Sequence, residues 1–321
     1  MCIDLKFVQG KFLYLSNLFK KTMNNVKNIF NIKDLENLSG IKAHTIRIWE
    51  KRYNVLQPMR TDTNIRYYDV ANLQKLLNIS TLHSFGYKIS AISKLPEEKI
   101  PVLVREVLGR KNMAGHVLNN FKLAMMNFDK QLFLSTYDSL LAERSFKEIF
   151  YDFFIPLLRE IGFLWQTATI TPAHEHFISF LIKQKLIANT EKLQLEKPTK
   201  TDRNFILYLP MNEIHELGLM FLNYDLMLNG YNTVYLGESV PVSSLVDVKN
   251  YFSNITFVSY ITVEPGMQEV NEYVETLKKE ILNDDTTRLY LLGRNTQYLQ
   301  KEKLGNNIKN FDSIAEFGEA L

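Results

Sequence analysis

The apolar residues of this chain change their spacing once, near residue 200, and that change limits its architecture more than any other feature. Up to about Leu195 they recur at helical intervals, whereas from Phe205 onward short apolar runs alternate with helical stretches. The runs fall at residues 205–209, 233–236, 257–260 and 289–292, and a terminal strand–helix unit follows. Strands apolar on both faces and separated by helices assemble into a parallel sheet covered on both sides. In such a doubly wound fold, ligands lie beyond the carboxyl ends of the strands.

The helical part divides again. Residues 29–96 read as short helices with tight punctuation: Ile32 to Leu38 ending at Ser39-Gly40, then about Ala43 to Arg52. Two short helices joined across a glycine turn are a helix-turn-helix pattern. Two extended pieces around a polar turn follow, from Gln57 to Tyr68, and form a wing. Asp69 caps a third helix, Val70 to Ser84, which ends at Gly86, and Ile89, Ile92 and Leu95 supply a short fourth. Pro96-Glu97-Glu98-Lys99 reads as a hinge. Residues 101–197 are rich in leucine and aromatics and fit a four-helix bundle. Glu196 to Lys200 is a second linker, residues 201–321 form the sheet domain, and residues 1–28 an N-terminal arm. Within the arm, residues 1–22 are either disordered or a misassigned start preceding Met23.

With 321 residues the chain is long enough for two or three cores. No apolar run approaches the roughly 20 residues that span a bilayer, and no cleavage site follows the opening segment, so a soluble, cytoplasmic protein without membrane association is expected. The single cysteine, Cys2, excludes an internal disulfide framework and a multi-thiolate zinc site. Net charge is +3, but residues 1–95 hold 15 Lys and Arg against 6 Asp and Glu, a net of +9, leaving −6 for the remainder. A positive end on an acidic body suits a phosphate-binding module.

That module carries its own chemistry. Lys42, His44, Thr45, Arg47, Lys51 and Arg52 occupy polar positions of the second helix, with Ile46, Ile48 and Trp49 as its apolar side. Basic and short polar groups on such a helix reach base edges and phosphates in a major groove. Arg60, Arg66 and Tyr67 flank the wing turn, where they are placed for backbone phosphates. Trp49 is read as core, and an arginine taken singly is more often solvated than specific. The run from Thr45 to Tyr53, with Pro58, Arg60-Thr61, Arg66-Tyr67-Tyr68 and Gly86 in register, resembles the MerR family. That resemblance implies double-stranded promoter DNA as partner and self-association as a dimer or tetramer. One departure is Asn64, where the family's wing usually has glycine.

In the sheet domain the first strand leads into Glu213-x-His215-x-x-Gly218. A histidine after a strand end can present its imidazole to a ligand above the sheet, although a lone loop histidine is more often simply solvated. The spacing resembles the cobalamin-binding motif of methionine-synthase-like modules, which have a flavodoxin-like fold. The resemblance implies His215 as the lower axial ligand to cobalt, Glu213 as holder of its other nitrogen, and Gly218 beside the displaced nucleotide tail. Ser259, in Ser259-Tyr260-Ile261, is similar to the second motif and would face the tail. Gly293 matches the first glycine of the third motif, but Arg294 stands where a second glycine is usual. In the helical region Trp165 and Glu175-His176 resemble the W-x9-EH pattern of CarH-like adenosylcobalamin photoreceptor repressors. The resemblance implies that Trp165, Glu175 and His176 enclose the adenosyl group. By themselves Trp165 fits core packing and His174 to His176 a surface helix turn.

Taken together, the residues predict a multidomain α and α/β protein: a winged helix-turn-helix, a four-helix bundle and a flavodoxin-like doubly wound sheet. The resemblance implies a DNA-binding transcriptional repressor, not an enzyme, controlled by adenosylcobalamin and by light through Co–C cleavage and a change of oligomer. Gln166, where light-responsive relatives have histidine, and Arg294 keep open a regulator whose effector domain no longer binds cobalamin. A corrinoid enzyme or methyl carrier is a third class, opposed by the DNA-binding module.

Overall fold

The computed structural model describes residues 29–108, 114–166 and 169–321. The expected N-terminal arm and Cys2 lie outside the described residues, as does the side chain of Gln166. Residues up to Ile178 form one compact unit, and those from Ser179 onward a second.

The first unit opens with helix α1 (Ile32–Ser39). Asn31 caps it through a reciprocal box: its side chain accepts the Asp34 backbone N–H, and the Asp34 carboxylate accepts the Asn31 N–H. Gly40 ends α1 at φ +74°, a left-handed conformation open to glycine, and the chain turns into α2 (Ala43–Tyr53). Strands β1 (Met59–Arg60) and β2 (Arg66–Tyr67) pair antiparallel as the wing. Asp69 caps α3 (Val70–Ser84) by accepting the Asn72 N–H, and α4 (Ile89–Ile92) follows. Leu35, Leu38, Ile46, Trp49, Leu73 and Leu76 meet in the core of this module. Ile48 departs from expectation: it is 46% exposed, because the apolar stripe of α2 is narrow and carries only Ile46 and Trp49 inward.

Pro96 to Lys99, expected as a hinge, is a turn pinned by an ion pair of Glu97 with Lys75. Helices α5 (Lys99–Leu108), α6 (Ala114–Asn127) and α7 (Lys130–Leu141) follow. Then α8 (Phe146–Ile149), a π-helical stretch (Phe150–Phe154) and α9 (Ile155–Gln166) make one continuous rod, and α10 (Pro172–Leu193) follows as the fifth helical segment of the region where four were expected. Phe121, Phe133, Phe150 and Phe154 are fully buried among them, with ring centroids 5.1 to 6.2 Å apart. The bundle is bonded to the helix-turn-helix: buried Lys122 donates to the Leu38 carbonyl and pairs with Glu160 at 2.9 Å, and Asn37 donates to Thr169.

The second unit is the sheet expected from the change of period. Strands β3 (Lys200–Pro210), β4 (Tyr231–Val240), β5 (Ile255–Tyr260), β6 (Arg288–Leu292) and β7 (Ile308–Asn310) are all parallel, in the order β4-β3-β5-β6-β7. Helices α11 (Leu217–Leu228), α12 (Val242–Lys249), α13 (Val270–Glu280) and α14 (Ile314–Glu319) complete the alternation. Counted within this unit the order is 2-1-3-4-5, that of a flavodoxin-like fold, and its direction reverses between β3 and β5. No helix among the described residues is long and apolar enough to cross a membrane.

Candidate functional site

Two sites are built by these modules, and the sheet supplies the more tightly specified one. The loop after β3 and the loop after β5 flank the switch point, where diverging connections leave a crevice. Glu213 joins them. Its side chain is fully buried, and Oε2 accepts the backbone N–H groups of Thr262, Val263 and Glu264 at 3.0, 2.6 and 2.9 Å. Its Oε1 accepts the N–H groups of Ile214 and His215 and faces His215 Nδ1 at 2.5 Å. Burial alone would push this carboxyl upward. The hydrogen bonds from His215 and from the backbone overcome it and hold the group down to about 2.

A carboxylate facing Nδ1 accepts the ring N–H on that side, so the neutral imidazole carries its lone pair on Nε2. Half of the His215 side-chain surface remains exposed. A single imidazole donor of this kind would suit a metal that arrives with its other ligands already in place. Among the described residues no cluster of three or more His, Cys, Asp or Glu could hold a bare metal ion. Met211, Ile214 and Val263, on the two loops that Glu213 ties together, each leave about half of their apolar surface exposed, as a flat apolar macrocycle requires. These residues fit a corrinoid.

The remaining expected contacts are distributed around this pair. Ser259 is buried in β5 next to the Tyr208 hydroxyl, and its Oγ makes no hydrogen bond of good geometry. Gly293 has φ +104°, and a Cβ there would lie 2.4 Å from the Ile261 carbonyl oxygen, so the close approach of β6 to β5 requires glycine. Arg294 is exposed at the start of a 3-10 turn (Arg294–Tyr298). Gly218 opens the first turn of α11 against the Tyr260 ring. Trp165, near the end of α9, is 46% exposed, and Glu175 and His176 pair at 3.3 Å in the first turn of α10. His174 is no surface residue: it is fully buried and stacks on Phe128 with centroids 4.8 Å apart.

Sequence reasoning missed several supports of the pair. The backbone of residues 262–264 anchors Glu213, and Asn295 holds that loop by donating to the Val263 and Pro265 carbonyls. Ser239, at φ +57°, donates its N–H to the Glu213 carbonyl and accepts the Asn212 N–H. Backbone anchors leave no mark in side-chain identity. Asn295 alone had a signal, as a small amide two residues after Gly293.

In the first unit Lys42, His44, Arg47, Lys51 and Arg52 project from α2 and its start into solvent, with Thr45 partly covered. Lys42 pairs with Glu36 at 3.2 Å. At the wing, Asn64 takes φ +66°, the conformation that glycine would supply, and its Oδ1 accepts from Arg60 Nη1 at 2.6 Å. Glu50 also went unnoticed in the sequence. It accepts the Tyr68 hydroxyl at 2.5 Å and pairs with Arg66 at 3.5 Å, so one carboxylate links α2 to β2. Burial, and then Glu50, push the Tyr68 hydroxyl well above its ordinary range. Tyr67 is half-buried at the end of the wing.

Known proteins match the chain in two regions. Residues 30–99 match the model of the MerR HTH family regulatory protein, and residues 117–188 match a B12 binding domain. The HTH-type transcriptional repressor CarH of Myxococcus xanthus is 28% identical over 222 residues, covering 67% of this chain and 73% of that protein. CarA, an HTH-type transcriptional repressor of the same organism, is 24% identical over 67% of this chain and 70% of its own. In fold, the chain is similar to the monomethylamine corrinoid protein of Methanosarcina barkeri, with a TM-score of 0.54, 16% identity, and 64% and 96% of the two chains covered. The class is thereby defined: this is a DNA-binding transcriptional regulator with a MerR-type helix-turn-helix and a B12-binding region. Within that class it is a cobalamin-responsive regulator that is similar to the repressors CarH and CarA.

Proposed function

We propose that the chain is a cytoplasmic repressor, without catalytic activity, whose hold on promoter DNA is set by adenosylcobalamin and released by green light. The observation that carries the cofactor half is Glu213 and His215 at the switch point of the sheet, with Nδ1 held by the carboxylate. His215 would hold the cobalt through Nε2, with Glu213 fixing its tautomer and ring orientation. The loop backbone at residues 262–264 keeps Glu213 ionised. When bound, the cofactor supplies a light-labile cobalt–carbon bond. Trp165, Glu175 and His176 would enclose the adenosyl group, a role that the partly exposed indole supports.

On the DNA side, Lys42, His44, Thr45, Arg47, Lys51 and Arg52 enter the major groove, while Arg60, Arg66 and Tyr67 take backbone phosphates. A dimer or tetramer that holds the cofactor more tightly than the alternative assembly would be favoured when it is bound, and repression would follow the assembly.

The test is a visible absorption spectrum of protein incubated with adenosylcobalamin in the dark and desalted, taken before and after green illumination. Retained corrinoid with a lasting change after light is the expected result. Retained corrinoid indifferent to light would reduce the protein to a chemical sensor of cobalamin, and loss of corrinoid on desalting would overturn the cofactor assignment. His215→Ala serves as the reference for specific retention.

A further inference from the structure

Cobalamin carries its own lower base on a ribose-phosphate arm. Where a protein imidazole takes the lower axial position, that base is displaced and has to lie on the imidazole's side of the ring, toward the sheet. Three residues after His215, Gly218 provides an opening in the first turn of α11, since it has no side chain. The opening is already filled. A Cβ at Gly218 would lie 2.7 Å from Cζ and 2.9 Å from Cε1 of Tyr260, so the ring packs directly against the glycine. Tyr260 projects from the end of β5, on the strand whose following loop anchors Glu213. The same ring walls a cavity of about 360 Å³ shared with Gly293, Arg294, Thr296 and Ser313.

We infer that Tyr260 determines corrinoid specificity: its ring takes the space beside Gly218 that a nucleotide tail needs, so the site selects the corrin ring and its upper ligand rather than the lower nucleotide. This rests on the cobalamin reading given above. Truncating the ring extends the neighbouring cavity toward Gly218 and admits the tail.

The experiment compares binding of adenosylcobalamin with that of adenosylcobinamide, which has the same ring and upper ligand but no nucleotide. Equilibrium dialysis in the dark with absorbance detection is run on the full chain as wild type, Tyr260→Ala and Tyr260→Phe, with Tyr260→Val as a second truncation should alanine impair folding. Wild type and Tyr260→Phe are expected to bind adenosylcobinamide at least as tightly as adenosylcobalamin, whose lower base must first leave the cobalt. Tyr260→Ala, or the valine variant, is expected to shift the ratio at least tenfold toward adenosylcobalamin without tightening adenosylcobinamide. An unchanged ratio, or a truncation that weakens adenosylcobalamin selectively, overturns the inference and leaves the cobalamin reading standing. Retention of neither corrinoid by any variant removes that reading and the inference together.

Discussion

Glu213 and His215 show how a two-residue pattern becomes a site. Five backbone N–H groups and one ring nitrogen converge on a single fully buried carboxylate, and each donor would be costly to leave unpaired there. Because the folded carboxyl sits near 2 and its ordinary value is 4.5, its contribution is fully present above about pH 4.5 and is lost as pH falls toward 2. Thermal denaturation across that window should show a steep acid loss of stability, on the order of 3 kcal/mol if this group dominates. Glu213→Gln should flatten the dependence and lower stability by about 2 to 3 kcal/mol at neutral pH, since an amide NH2 would face backbone donors. A variant as stable as wild type at pH 7, with the acid transition unchanged, would show that the carboxylate is not the anchor.

At the scale of the element, the helix-turn-helix turns on a left-handed glycine and presents one cationic face. Gly40 at φ +74° closes α1, so Gly40→Ala should cost about 1 kcal/mol of stability, read as a lower midpoint in thermal denaturation. An unchanged midpoint would mean that the turn relaxes to another conformation. On α2, Arg47 is exposed, whereas Lys42 is paired with Glu36 and, on the wing, Arg66 is paired with Glu50. Arg47→Ala should therefore weaken operator binding in a titration by fluorescence anisotropy. A lost base contact removes about 1 to 3 kcal/mol of discrimination at one position, whereas a lost phosphate contact lowers the salt slope by about 1 and leaves sequence preference intact. Affinity and salt slope both equal to wild type would place the recognition surface elsewhere. The wing turn is a related case, in which Asn64 adopts the conformation expected of glycine and adds a bond to Arg60 that glycine could not make.

For the whole molecule, the distribution of charge and the firm attachment of the helix-turn-helix to the bundle matter most. Lys122, Asn37 and Asn119 hydrogen-bond the DNA-binding helices to the bundle, the kind of packed contact through which a rearrangement in one could bias the other. Size-exclusion chromatography with light scattering should give a larger particle in the dark with adenosylcobalamin than without it, and the smaller one again after green light. A single mass under all three conditions would defeat control by assembly. With +9 of charge in residues 1–95 and −6 in the rest, nonspecific DNA binding should fall steeply between low and physiological salt.

The sequence by itself determined the elements and their order. Spacing of apolar residues separates helix from strand, and Gly40, Asp69 and Gly86 mark boundaries through local backbone chemistry. It also made Glu213 and His215 legible, because an acid two residues before a histidine at a strand end is a local pattern. Only the tertiary structure decided what surrounds them. The anchoring of Glu213 by residues 262–264, the fixing of that loop by Asn295, and the filling of the Gly218 opening by Tyr260 join positions about 30 to 50 residues apart in sequence. Such contacts arise from the parallel register of β3 and β5 and from backbone groups that every residue carries, so no single-sequence pattern can encode them. For the same reason the side of α2 on which Ile48 lies was settled by packing, not by hydrophobicity.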